Sequence, residues 1–358
     1  MAFFLWNLPG LVVLTACGIV IEEFIDPNNP PWYLVGLPPA AISLVFKAFY
    51  GFAVKLDKIG LVLALFSCLC AILINNGEST TTGLSIKATS SQWVFPVTLA
   101  IGGIITFIDS KRSKPFGTYS SPSVGWDKDD DETMKRIGIP LWMGGLIFLV
   151  WLAVLILCII LVDVGNIDND FLEIFETMYR IGSIIFGGGQ VVLPLLQDEV
   201  VPQWMTKDQF LQGLGLAQSM PGPLFNFSSY LGAVSRGVPG ALIAYVGLFG
   251  PGVILIFAMV PFWARFRRNQ TFKSVLKGVN ATAIGLVGAA CVTLWESAIV
   301  DAADAMVFAI AITMAIAFGI QAPFCILAGG VAGAILHQDA LNLGQRPYCE
   351  REGFGAQL

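Results

Sequence analysis

Charge is scarce in this sequence: only 13% of its 358 residues are Asp, Glu, Lys or Arg, and there is a single histidine. A soluble domain carries about 25% charged residues. With 56% apolar residues and a mean hydropathy of +0.74, lipid is the solvent this chain is built for. Other absences narrow the function. No basic, aromatic-laced patch is present to hold nucleic acid. One histidine, His337, with no H-E-x-x-H, no G-x-S-x-G and no cluster of metal ligands, leaves an enzyme without its parts, so no catalytic residue, cofactor or metal is expected. No G-x-x-x-x-G-K-[ST] loop exists to draw on ATP. No stretch alternates apolar and polar residues over a strand's length, which a transmembrane barrel requires.

The cysteines give no disulfide framework either. Cys17, Cys68, Cys70, Cys158, Cys291 and Cys325 sit inside apolar runs, where a free thiol acts as a small hydrophobe. Cys68 and Cys70 form a C-x-C pair, yet on a helix residues two apart point in nearly opposite directions, so they read as packing rather than as metal ligands.

What is present is a series of apolar runs, at 3–21, 32–54, 59–74, 92–108, 139–162, 239–263, 278–299, 305–320 and 322–337. A spanning helix needs about 20 such residues, so nine to twelve spans are expected and the fold class is an all-α polytopic membrane protein. The first run has no basic residue before it and no small-residue cleavage site after it, and reads as a span rather than a signal peptide. Residues 109–138, mixed in charge and rich in Ser, Pro and Gly, read as a solvated linker.

The chain also resembles itself. At an offset of 242 residues, Pro9-Gly10 falls on Pro251-Gly252, Phe24 on Phe266, Gly36 on Gly278, and Ala41, Ile42, Leu44 and Val45 on Ala283, Ile284, Leu286 and Val287. At 227, Pro96, Gly102 and Gly103 fall on Pro323, Gly329 and Gly330. Transporters are often built from such repeats. The loop after the first span carries Glu22, Glu23 and Asp26 and no base; its equivalent carries Arg265, Arg267, Arg268, Lys273 and Lys277 and no acid. Basic loops stay cytoplasmic, so the two halves are expected to be inverted, with 139–162 supplying the odd crossing between them. Charge drift in a parallel repeat is the competing account. The division expected is 1–108 for the first repeat, 109–138 for the linker, 139–162 for the connecting helix, 163–337 for the second repeat and 338–358 for a polar tail.

The region 171–238 is too polar and too broken for plain spans. Gly187, Gly188 and Gly189 interrupt a helix beginning near Phe171, and Pro221-Gly222-Pro223 interrupts another beginning near Thr206. Broken backbone is tolerated at membrane depth only where protein buries it or it lines a cavity. Two such breaks free N–H groups and helix N-termini that can hold an anion; alternatively, the glycines let helices approach and the prolines kink them. Arg180 lies seven residues before Gly187, two turns away on the same face, and an intramembrane Arg marks a site by default. It can equally snorkel or pair with Glu176, four residues earlier. Gln190, Gln218, Asn226, Ser228 and Ser229 can donate to anion oxygens or cross-link helices. Asp198, Glu199 and Lys207 read as interfacial, with Glu199 able to exchange protons where water reaches it. Asn226-Phe227-Ser228 and Asn280-Ala281-Thr282 match the glycosylation pattern but lie in membrane-embedded segments.

At these residues the sequence resembles the chromate ion transporter family. That family's joint pattern is met by Arg180, by F-G-G-G at 186–189, by Val192, Pro194, Leu195 and Leu196, by Glu199, Val200 and Val201, by Trp204 and Thr206, and by Ala217, Gln218, Pro221, Gly222 and Pro223. The resemblance spans about 171–337, and weakly 8–108. It implies a secondary transporter of chromate or a similar tetrahedral oxyanion such as sulfate, working in efflux in the plasma membrane. It also implies substrate binding by Arg180, Gly187, Gly188, Gly189, Gln190, Gln218, Pro221, Gly222, Pro223 and Asn226. The family's first half opens with its own F-G-G-P and P-G-P elements, and none occurs before Pro9, so the first half is expected to lack its N-terminal portion. A non-transporting remnant, or a subunit completed by another chain, a homodimer included, is the alternative function.

Sidedness tests the repeat directly. Reporter fusions after Asp26 and after Arg268 are expected to report opposite sides of the membrane; the same side for both would leave a parallel repeat.

Overall fold

In the computed structural model of the chain, every regular element among the described residues is helical. The structure describes residues 2–25, 31–75, 91–112, 140–164, 169–185, 189–190, 192–220, 222–266 and 269–336. Most of the expected linker at 109–138, and the whole tail at 338–358, lie outside them. The helices are α1 (Ala2–Phe24), α2 (Trp32–Val35), α3 (Leu37–Ala53), α4 (Lys58–Asn75), α5 (Ser91–Ser110), α6 (Leu141–Ile159), α7 (Asp170–Ile184), α8 (Val192–Val200), α9 (Lys207–Ser219), α10 (Phe227–Phe266), α11 (Gln270–Ala298), α12 (Ala302–Ile316) and α13 (Ala322–Leu336). A π-turn, Ile160–Val164, extends α6.

Local chemistry sets several of these ends. The Asn169 side chain accepts from the Phe171 and Leu172 amides at 3.0 and 3.3 Å and so starts α7. Thr206 with Gln209, and Asp301 with Asp304, form reciprocal capping boxes that start α9 and α12, satisfying amides that a helix start leaves unpaired. α6 shows how lipid is accommodated. Its apolar window is only 6% buried, with Leu146, Leu149, Val150, Ile156 and Leu157 all exposed. A helix so apolar on all its faces is suited to hydrocarbon surroundings.

Helix length separates the apolar segments into two groups. Among the described residues, four stretches are long and apolar enough to cross a membrane: Leu5–Phe24, Leu141–Val162, Leu224–Trp263 and Gln270–Ala298. Five more apolar stretches, among them Leu37–Ala53 and Ala322–Leu336, count 10–17 residues; two of them belong to α4 and α5, which as whole helices have 18 and 20 residues. The longest stretch is not one rod. α10 leaves helical geometry at Arg236 and at Gly237, whose φ is +61°, and a side-chain carbon placed on Gly232 would lie 2.2 Å from the Gly240 carbonyl oxygen. The helix therefore folds back on itself at a residue whose positive φ only glycine adopts freely.

The chain divides into two compact units. One comprises 1–51, 192–245 and 290–358; the other comprises 52–191 and 246–289. In the first, α9 packs on α1 and on α13, and α13 packs on α12 and α2. Phe46, Trp295 and Phe308 meet edge to face, with centroids 4.7–6.0 Å apart, the arrangement aromatic quadrupoles favour. In the second, Ile59, Leu63 and Ala281 form a buried cluster beside Leu56. There the Ser67 hydroxyl donates to the Thr282 carbonyl at 2.9 Å, and Lys277 pairs with Asp57.

Glycines set the closest approaches, and they do so at positions linked by the sequence offsets. In the first unit, a side-chain carbon on Gly329 would meet Ala40 at 2.3 Å and the Gly36 carbonyl at 3.2 Å. In the second, one on Gly102 would meet Thr282 at 2.5 Å and the Gly278 carbonyl at 2.8 Å. Offsets of 242 and 227 turn Gly36 and Ala40 into Gly278 and Thr282, and Gly102 into Gly329. Each unit therefore holds the same contact, made by the early part of one half and the late part of the other.

These contacts leave no room for added carbons, and overpacking of this kind costs about 1–3 kcal/mol. Gly102→Val is expected to lower the melting temperature of the detergent-solubilised protein by several degrees, while Gly145→Ala, with nothing within 4 Å, leaves it unchanged.

Candidate functional site

The first interruption is prepared by α7. Glu176, Thr177, Met178, Tyr179, Ile181 and Ser183 are buried on this helix. Its C-terminal part is held by the Trp151 indole, which donates to the Ser183 hydroxyl at 3.1 Å, and by the Tyr179 hydroxyl, which donates to the Trp151 carbonyl at 3.4 Å. The opposite side lies against α10: a side-chain carbon on Gly182 would come within 2.4 Å of the Leu248 carbonyl, and one on Gly247 within 2.8 Å of Met178.

Inside this packing sits an ion pair of α7. The Arg180 Nε donates to Glu176 Oε1 at 2.7 Å, and Nη2 reaches Oε2 at 3.5 Å. The Thr177 hydroxyl adds a contact to Oε2 at 3.4 Å. Their side chains are 17% and 5% exposed, so the guanidinium is the half that remains within reach of anything outside. Of the two partners that sequence spacing offers Arg180, the structure shows Glu176.

At Ile185 the backbone turns extended. Phe186, Gly187, Gly188 and Val191 lie outside the described residues. Gly189 and Gln190 form a half-buried turn, and the Gln190 Oε1 is buried with no hydrogen-bond partner. The chain then enters α8, nine residues long, with Val192, Leu193, Leu195 and Leu196 buried. Glu199 is half-buried and Asp198 exposed near its end. The helix–break–helix order expected around the glycines is thus present, with a new N-terminus immediately after the break.

The second interruption belongs to the other unit. α9 runs from its Thr206 cap to Ser219, and the Gln218 side chain donates to the Ala41 carbonyl of α3 at 3.1 Å. Pro221 lies outside the described residues. Gly222 has φ +132°, which again favours glycine; Pro223 then opens a 3-10 turn, Leu224–Asn226, that runs into α10. Asn226 is 3% exposed. Its Nδ2 donates to the Asn7 carbonyl at 3.4 Å, and its Oδ1 is buried without a partner. A buried polar atom left unpaired is costly. The unpartnered atom is an acceptor oxygen; presenting N–H groups in its place takes a half-rotation of the amide that gives up the Nδ2 bond to the Asn7 carbonyl.

Other expected donors are already engaged. Ser228 and Ser229 bond back to the Phe225 and Asn226 carbonyls at 2.9 and 2.7 Å, as hydroxyls within helices do, and neither cross-links helices. Two residues that sequence reasoning used only as repeat markers or passed over also matter: a side-chain carbon on Gly10 would sit 2.3 Å from Asn226 Nδ2, and Asn7 supplies the carbonyl that Asn226 reaches. The signal was present in Pro9-Gly10, which was legible as a repeat element but not as a neighbour of residue 226. Among the described residues, no group of three or more His, Cys, Asp or Glu is placed to hold a metal.

Residues 172–334 match the sequence profile of the family described as Chromate transporter. Among curated proteins, the chain is 27% identical over 158 residues to the probable chromate transport protein of Synechococcus elongatus, a stretch covering 43% of this chain and 40% of that one. It is 35% identical over 127 residues to the chromate transport protein of Pseudomonas aeruginosa, covering 34% and 30%. It is 27% identical over 165 residues to that of Cupriavidus metallidurans, covering 44% and 41%. The chain thus spans less than half the length of these relatives in alignment. No solved structure matches.

The geometry around Gly222 makes its own prediction. A non-glycine residue held in such a conformation is strained by about 1–3 kcal/mol, so Gly222→Ala is expected to destabilise the solubilised protein measurably. Gly10→Val is expected to do the same by pushing Asn226 aside. Unchanged melting for both would remove this turn as a fixed element.

Proposed function

We propose, from the premise that residues 172–334 belong to the chromate transporter family, that this integral membrane protein is a secondary transporter moving chromate or a similar tetrahedral oxyanion. We assign it to efflux across the plasma membrane. The observation that carries the reading is the pair of interrupted helices, α7 to α8 and α9 to α10. Each interruption has glycine or proline at the break and a helix N-terminus after it. Freed amides and positive helix ends suit an anion. Arg180 supplies full positive charge, and Gly187, Gly188, Gly189, Gln190, Gln218, Pro221, Gly222, Pro223 and Asn226 supply close backbone approach and neutral donors. The family is one of transport proteins rather than enzymes, and with no nucleotide-binding loop in the sequence the driving force is an ion or potential gradient.

The architecture we assign is two homologous halves, 1–108 and 163–337, inverted relative to each other and joined through the 139–162 helix. The repeated glycine contact in the two units supports the relation between the halves, and the opposite charges of the equivalent loops support the inversion. A second reading, a subunit that needs another chain, also has an observation behind it. Gly10 packs on Asn226, whereas its equivalent Gly252 has nothing within 4 Å. The surface that a second P-G-P element would cover is therefore open among the described residues.

Chromate uptake into inverted membrane vesicles tests the reading. Uptake is expected with the intact chain and is expected to be competed by sulfate, which shares chromate's charge and shape. Arg180→Gln removes a charge-assisted contact of about 1.5–3 kcal/mol, so the apparent affinity should fall by roughly ten- to a hundredfold. Uptake unaffected by that change would take Arg180 out of the site. Absence of uptake, with a folded protein in the vesicles, would favour the subunit.

A further inference from the structure

The Arg180–Glu176 pair raises a question that anion binding alone does not answer: what happens to a buried carboxylate when a substrate takes its partner. We infer that Glu176 is the resident counterion of Arg180, that the transported oxyanion displaces it, and that Glu176 takes up a proton as it is displaced, so that a proton travels with the anion. The inference rests on the proposed role of Arg180 in oxyanion binding.

Glu176 is 4% exposed. Its two oxygens are served by Arg180 Nε at 2.7 Å, Arg180 Nη2 at 3.5 Å and the Thr177 hydroxyl at 3.4 Å. When the guanidinium turns to an oxyanion, only the weak Thr177 contact is left among these. On the neighbouring helix α6 the buried titratable side chain is Cys158. From α10, Gly247, Leu248 and Gly250 lie against α7, and none of these three carries charge. Among the described residues, therefore, these packed neighbours provide no second cation to receive the carboxylate.

A buried ionised carboxylate without a partner is among the costliest states in a protein, and it is relieved by protonation. Anion binding and proton binding are then linked, and each strengthens the other by the same factor. Charge balances simply. A dianion leaving with one proton carries one net negative charge, and an inside-negative membrane potential drives that charge outward. Export thus needs no inward proton exchange. The pair differs from a merely structural ion pair in one respect: its carboxylate changes protonation whenever the site fills.

The experiment uses the purified full chain in liposomes holding a pH-sensitive dye, with potassium and valinomycin setting the potential and labelled chromate outside. Wild-type protein is expected to acidify the lumen by about one proton per chromate that enters. With Glu176→Gln, which keeps a hydrogen-bonding group facing Arg180, chromate still enters but the ratio falls to about zero, and Glu176→Asp restores it. An unchanged ratio in Glu176→Gln, or chromate entry without protons in the wild type, overturns the inference while leaving transport standing. Failure of the wild type to admit chromate at all overturns the transport reading and the inference with it. Should Glu176→Gln not fold, the wild type in weakly buffered detergent decides: sulfate addition is expected to raise the bath pH as protons are taken up, and binding without a pH change overturns the proposal.

Discussion

In hydrocarbon, a backbone amide or carbonyl that is not bonded within the protein has no water to turn to, and that constraint organises the rest of this molecule. It makes every described element a helix, and it makes helix ends expensive unless something covers them. Where ends occur, the chain supplies caps, as at Asn169, Thr206 and Asp301, or packs the end against a neighbour. Where two helices must approach closely, glycine removes the side chain that would hold them apart. Gly36 and Gly329 do this in one unit, and Gly102 and Gly278 in the other.

The same constraint gives meaning to the places where it is relaxed. Backbone is interrupted after α7 and again after α9, with Gln190 and Asn226 placing unpartnered buried polar atoms beside the interruptions. Burying such atoms costs about 1–3 kcal/mol each without compensation. Both are acceptor oxygens, so what they lack is a donor; the anion we assign is held instead by Arg180 and by the helix N-termini that follow the breaks. Arg180 and Glu176 extend this logic to full charges: neither is stable alone in apolar surroundings, so a ligand that claims one of them must leave a defined fate for the other.

Much of this was legible in the residues because local chemistry wrote it. The start of α9 after Thr206 and of α7 near Phe171, and the interruptions at the glycines and at P-G-P, follow from short-range pattern. Other features depended on tertiary neighbours that no spacing encodes. Glu176 could be recognised as an available i,i−4 partner, but spacing could not decide between it and a ligand. Asn7 and Gly10 lie more than 200 residues from Asn226, and only folding brings them together. Hydropathy did not distinguish long apolar helices from shorter ones, because apolarity persists through stretches of 10–17 residues as well. The fold-back of α10 at Arg236 and Gly237 hid within what hydropathy reads as continuous apolar sequence.

The central claim is that the interrupted helices hold a tetrahedral oxyanion. The most direct measurement is an experimental structure of the protein with tungstate, a heavy oxyanion of the same shape, located by its anomalous scattering. The account predicts a bound ion in contact with Arg180, with the turn at Gly189 and Gln190, or with the turn from Gly222 to Asn226. Tungstate bound only at other surfaces, with Arg180 still joined to Glu176, would contradict it.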